Sequence, residues 1–157
     1  MLDLFKKEKC MTAIANGSIL DISLVPDQVF SKKILGDGFA IIPSDGNFVS
    51  PVAGTIADVT ETRHAYCITS DDGLDVLVHI GIDTVELRGN GFKSLVNVGD
   101  KVEKGTPIAK VDLALVEKEG YNTTSMVVVT NPDKLRSLKV FENPTVKIGD
   151  KAMIYKL

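Results

Sequence analysis

The run Leu74-Asp75-Val76-Leu77-Val78-His79-Ile80 shows the pattern that dominates this chain. Leu74, Val76, Val78 and Ile80 fall on alternate positions, one apolar face of an extended strand, and Asp75, Leu77 and His79 share the other face. Short strand-like runs recur at 39–42, 66–69, 107–111, 125–129 and 151–156. Helix-like stretches are brief: around Val29, at 113–118 and at 132–138. Many short strands broken by regular turn residues predict an all-β fold, an antiparallel sandwich or barrel with a few very short helical turns. Two sequence echoes fit that reading. Gly17-Ser18-Ile19-Leu20-Asp21-Ile22 parallels Gly54-Thr55-Ile56-Ala57-Asp58-Val59, and Val98-Gly99-Asp100-Lys101 parallels Ile148-Gly149-Asp150-Lys151. Glycine followed by aspartate is turn chemistry, and the flanking alternation is strand chemistry.

Composition narrows the class. The 18 valines and 13 isoleucines suit pleated, half-buried surfaces. At 157 residues and 44% hydrophobic content the chain can bury a core of its own. With no Pro/Gly/Ser-rich linker, the reading is a single domain over 12–157 behind a charged, flexible leader at 1–11. Net charge −3 and a pI near 5.4 argue against nucleic-acid binding, which wants a basic stripe. Residues 1–9 lack the apolar core of a secretory signal, and no run approaches the ~18 apolar residues of a spanning helix. Leu2, Leu4 and Phe5 beside Lys6, Lys7 and Lys9 allow at most a peripheral membrane contact. Cys10 and Cys67 form no metal or redox spacing, which fits a reducing, cytoplasmic setting. A monomer is assumed.

Candidate chemistry centres on the two histidines, His64 and His79. The acid-rich turn Ser70-Asp71-Asp72-Gly73 lies between their segments. A hairpin folded there can bring the two imidazoles together, since opposite residues of adjacent antiparallel strands lie about 5 Å apart. A paired imidazole site could bind zinc, relay protons or carry phosphate, and spacing does not choose among these.

Ordered motifs narrow the choice. Gly36-Asp37-Gly38-Phe39-Ala40-Ile41-Ile42-Pro43, Ser50-Pro51-Val52-Ala53-Gly54-Thr55-Ile56, Thr62-Arg63-His64-Ala65-Tyr66 and above all 74–87 resemble the glucose-family IIA component of the bacterial sugar phosphotransferase system. Gly99-Asp100-Lys101-Val102 and Asn131-Pro132 extend the similarity. The resemblance implies a cytoplasmic phosphotransferase that accepts phosphate from the phosphocarrier protein HPr and passes it to a cysteine of a IIB domain of a sugar permease. His79 matches the phosphate acceptor, His64 the second active-site histidine and Thr62 the hydroxyl that orients it. Imidazole chemistry adds that an acceptor must hold the second His79 nitrogen's N–H, and a backbone carbonyl near Gly81 is a candidate. Asp83 and Asp27 match acidic positions facing an arginine of HPr. Val29, Phe30, Ile34, Leu35, Leu77 and Val85 match an apolar ring that binds both partners. Thr60 and Cys67 stand where the family carries larger aromatics, so the rim is thinner here. No metal, nucleotide or cofactor is implied. Some relatives also bind regulatory targets, through the same face.

Two alternatives of other classes remain at this point. One is a pure regulatory binding protein. The other is a biotinyl or lipoyl carrier domain, which 96–105 also resembles and for which Lys101 or Lys151 would be the modified lysine. A zinc peptidase of related β fold needs three histidines and an aspartate, and this chain has two histidines.

Overall fold

The computed structural model describes residues 8–157. The apolar-basic start at 1–7, with its suggested membrane contact, lies outside those residues. Strands dominate, as the alternation predicts: β1 (Lys9–Thr12), β2 (Gly17–Asp21), β3 (Asp37–Pro43), β4 (Asn47–Val49), β5 (Gly54–Val59), β6 (Ala65–Ser70) and β7 (Asp75–His79) form the first part. After them come β8 (Phe92–Ser94), β9 (Lys101–Val102), β10 (Pro107–Val111), β11 (Ser125–Val129), β12 (Ser137–Val140), β13 (Asn143–Val146) and β14 (Lys151–Lys156). Two short helices interrupt them, α1 (Gln28–Ser31) and α2 (Leu113–Lys118). The strands make an eight-stranded sheet in the order β13-β2-β3-β11-β7-β6-β5-β9 and two three-stranded sheets, β4-β10-β8 and β1-β14-β12. Every recorded pairing is antiparallel.

Packing explains the composition. The inner face of the large sheet (Phe39, Ile41, Tyr66, Ile68, Val76, Val78, Val127 and Val129) joins Phe48, Ile108, Met11 and Tyr155 from the smaller sheets in one core. Its outer face is covered over β3, β11 and β7 by a second cluster, in which Ile22, Val25 and Phe30 lie on Ala40, Met126 and Val128. Strand β11 is therefore buried along its whole length. That is why Met126-Val127-Val128-Val129 is continuously apolar instead of alternating.

The structure departs from the sequence reading in two places. Residues 9–11 already belong to the fold, ahead of residue 12: β1 pairs with β14, and Met11 is fully buried, so 9–11 cannot be part of a flexible leader. The stretch 132–138 is not helical throughout. A 3-10 turn at Pro132–Lys134 gives way to β12, because Leu138 and Val140 find cross-strand partners in Tyr155 and Met153. The two echoes are matched local structures. Gly17 and Gly54 both open strands. Gly99 and Gly149 both take positive φ (93° and 97°) in turns where an aspartate carboxylate, Asp100 or Asp150, accepts the N–H three residues earlier.

Candidate functional site

Strands β6 and β7 form the expected hairpin, with Ala65 opposite His79 and Cys67 opposite Leu77. His64 stands one residue before β6, and its carbonyl accepts the Ile80 N–H at 2.7 Å, which ties the ends of the two strands together. The imidazoles meet edge to face, with ring centroids 5.0 Å apart and planes at 82°. Each ring is held by its own neighbours.

His79 Nδ1 lies 2.8 Å from the Gly81 carbonyl. A carbonyl only accepts, so Nδ1 carries the proton and Nε2 keeps a free lone pair. Gly81 sits at φ 78°, the left-handed region where a side chain is strained. A Cβ there would lie 2.4 Å from Thr84 Cγ2 and 3.2 Å from the Asn122 carbonyl. The Gly81 N–H donates to Ser125 Oγ, and Thr84 Oγ1 donates to the Ile80 carbonyl. Gly81 is thus buried, and its carbonyl fixes the His79 ring.

On the His64 side, Thr62 Oγ1 is 2.6 Å from Nδ1 and Thr60 Oγ1 is 3.3 Å away. Burial, and next the charge of His79, push the His64 imidazole down to about 4. Burial also lowers His79, opposed by its bond to Gly81 and by the carboxylates of Asp27 and Asp83. Both rings are therefore neutral at pH 7, and a neutral imidazole nitrogen is a nucleophile.

Of the expected acidic and apolar residues, the structure brings Phe30 against the His79 ring and the carboxylates of Asp27 and Asp83 within its field. Asp27 caps α1, accepting the Val29 N–H at 2.9 Å through Oδ1. Asp83 takes a left-handed φ of 59° and makes no capping bond, so its exposed carboxylate has no such tie. Val29, Ile34, Leu35 and Val85 are exposed apolar side chains, and Leu77 is half-buried. Phe30 differs: it is only 6% exposed, and its ring packs 5.1 Å from that of His79. It forms the floor beneath the histidine, not the rim. Exposed Leu24, in the 3-10 turn Ile22–Leu24, precedes this segment and escaped the sequence reading, as did the supports Ser125 and Thr84. A lone leucine between Ser23 and Val25 carries no exposure signal in one sequence, and Ser125 reaches Gly81 only through a contact 44 residues long.

Among the described residues no group of three or more His, Cys, Asp or Glu side chains converges as a metal site would require, and no helix is long and apolar enough to cross a membrane.

Comparison with known proteins shows the family. The profile of the phosphoenolpyruvate-dependent sugar phosphotransferase system, EIIA 1, matches residues 9–135. The chain is 41% identical over 148 residues to a glucose-specific EIIA component of Halalkalibacterium halodurans, covering 94% of this chain and 86% of the relative. It is 37% identical over 149 residues to that component of Staphylococcus aureus, covering 95% and 90%. The solved glucose permease IIA of Mycoplasma capricolum superposes with a TM-score of 0.89 at 37% identity, over 96% of this chain and 97% of that one. By this profile match, these identities and the shared fold, the chain belongs to the EIIA 1 family of the phosphoenolpyruvate-dependent sugar phosphotransferase system.

Proposed function

We propose that this chain is a cytoplasmic phosphoryl relay of sugar uptake: His79 takes a phosphoryl group from a phosphohistidine of HPr and delivers it to a cysteine of a IIB domain of a glucose-type permease. The observation that carries this reading is the facing pair of neutral imidazoles, 5.0 Å apart, with the His79 Nδ1–H fixed on a carbonyl. In the first step the His79 Nε2–P bond forms as the donor N–P bond breaks, and the donor imidazole leaves with the bonding pair. His79 gains positive charge, which the Gly81 carbonyl stabilises through Nδ1–H. In the second step a thiolate attacks phosphorus, the S–P bond forms, and the N–P pair returns to Nε2. His79 exchanges no proton overall.

The transition state is loose, so positioning and neutralisation of oxygen charge supply most of the catalysis. With Thr62 donating to Nδ1, His64 carries its proton on Nε2 and can donate it to the phosphoryl oxygens as an oxyanion-type stabiliser. Val29, Ile34, Leu35 and Val85 exclude water once a partner docks, which protects the labile N–P bond. Asp27 and Asp83 offer negative charge to a basic donor. The proposed relay uses no metal, nucleotide or cofactor.

The test is incubation with HPr, its activating enzyme and phosphoenolpyruvate, followed by intact mass and site mapping. One phosphoryl group is expected on His79, and none on a His79→Gln variant, whose amide is not a usable nucleophile. His64→Gln is expected to accept phosphate still, while delivery to the IIB cysteine slows by at least ~10²-fold, the loss typical of a positioned acid–base group. Phosphate mapped to His64, or failure of His64→Gln to accept it, overturns this division of roles.

A further inference from the structure

Two hydroxyls converge on one nitrogen of His64. Nδ1 offers a single in-plane position, as a lone pair or as an N–H. Thr62, at 2.6 Å, would by itself fill it. Thr60, at 3.3 Å, is the second candidate, and its hydroxyl is tied to the same turn. Thr60 Oγ1 accepts the Ala65 N–H at 3.1 Å, and its own proton can go to the Ala65 carbonyl, also 3.3 Å away. That carbonyl already accepts the Thr60 N–H at 3.1 Å, so turning the Thr60 proton toward His64 leaves no backbone group unpaired. The Thr60 proton therefore has two acceptors at equal distance, and the Ala65 carbonyl does not depend on it. The turn that holds both threonines is closed by the Arg63 N–H on the Thr60 carbonyl, with Arg63 at φ 59°.

We infer that Thr60 is a second positioning residue for His64, forming with Thr62 a two-hydroxyl clamp on Nδ1. While Thr62 donates to Nδ1, the Thr60 proton rests on the Ala65 carbonyl. When the Thr62 hydroxyl swings away, Thr60 turns its proton to Nδ1 and keeps the imidazole proton on Nε2. When Nδ1 itself is protonated, both threonine oxygens carry lone pairs that can receive it. The clamp matters because His64 is buried, and an unpaired nitrogen there cannot turn to water for compensation. This inference rests on the proposed role of His64 only in its kinetic consequence. The clamp itself is a property of the unphosphorylated chain.

The experiment is a double-mutant cycle on the full chain with ¹⁵N-labelled histidine. Thr60→Val and Thr62→Val remove each hydroxyl at nearly constant shape, and Thr60→Ser restores the hydroxyl without the methyl. Long-range ¹H–¹⁵N correlation reads the His64 tautomer, and rapid-quench transfer to the IIB domain reads the rate. Each single Val variant is expected to keep the Nε2–H tautomer and lose only a few-fold in rate. The double variant is expected to show mixed tautomers and a loss roughly tenfold beyond the product of the two singles, within the range seen for contacting residues. Thr60→Ser in the Thr62→Val background should recover the single tautomer, which a purely structural role in the turn would not require. A double variant matching Thr62→Val alone in tautomer, or a Thr60→Ser that behaves as Thr60→Val, overturns the clamp. Tautomer mixing without any change in rate upholds the clamp and removes His64 from the transfer step.

Discussion

Acidification probes His64 directly. Its folded value is pushed down to about 4 by burial and then by His79, against about 6.5 for an exposed imidazole. Between those values the unfolded chain binds a proton that the folded chain refuses, so stability must fall as pH drops from 6.5 toward 4. His79 is lowered too and acts in the same direction. Asp72 is lowered as well: although its burial opposes the shift, hydrogen bonds from Ser70 and Tyr155 and the charge of Lys9 prevail. Its contribution is present above its ordinary value of 3.8 and is lost only as pH falls through its folded value, below the histidine window. Denaturant midpoints at pH 7, 5.5 and 4.5 should therefore decline for the parent chain and decline less for His64→Gln; equal declines would place the burden elsewhere. Because burial holds both imidazoles below their ordinary value, phosphate acceptance should change little between pH 7 and 8.

At the scale of elements, the turn that follows β7 governs the site. Gly81 must take a positive φ, accept from His79 and leave no room for a Cβ beside Thr84. Gly81→Ala is expected to destabilise the fold by about 1–3 kcal/mol from backbone strain alone and to slow phosphate acceptance by His79. Adding Thr84→Ser removes the clashing methyl and keeps the hydroxyl bond to Ile80, so it should recover part of the stability and leave the strain. Urea titration of the single and double variants measures both parts, and a Gly81→Ala chain of unchanged stability would contradict the geometry. Element boundaries were legible where the pattern was internal: β10, β14 and α2 begin and end where alternation or helical spacing does, and β11 where its apolar run does. They were illegible where pairing defines the element. Two-residue β9 exists through Gly54 and Thr55, and β12 through β14.

For the whole molecule, the segment from Ile22 to Leu35 carries exposed apolar side chains of the proposed docking face. Its inner residues Val25 and Phe30 seal the outer face of the large sheet, and its outer residues Val29, Ile34 and Leu35 are left exposed. A surface test therefore belongs on Ile34, 67% exposed, and not on buried Phe30, whose replacement by a charge would disturb the floor under His79. Ile34→Glu is expected to weaken binding of HPr and of the IIB domain alike, by about 1–3 kcal/mol if it anchors both interfaces. Its unfolding midpoint should stay near that of the parent. Calorimetric titration showing one partner unaffected would point to separate docking faces.

The alternation of 74–80 and the turn at 70–73 by themselves determined which face His79 occupies and that a hairpin could bring His64 beside it. Both follow from two-residue strand periodicity and hairpin closure, which are local. The motif resemblance likewise located Thr62 and Asp83 as expectations, and the need to hold the second His79 nitrogen made a carbonyl near Gly81 a candidate. Tertiary structure alone decided the rest. Met126 lies beside His79 because β11 pairs with β7, although 45 residues (80–124) lie between the two strands in sequence. Phe30 became floor instead of rim because the segment bearing it folds down over Ala40 and Val128. Thr60, read from sequence as a small residue thinning a rim, turned its hydroxyl to His64 once the 60–65 turn closed on the Ala65 backbone. Burial and hydrogen-bond partners depend on contacts distant along the chain, and no periodicity within one segment encodes them.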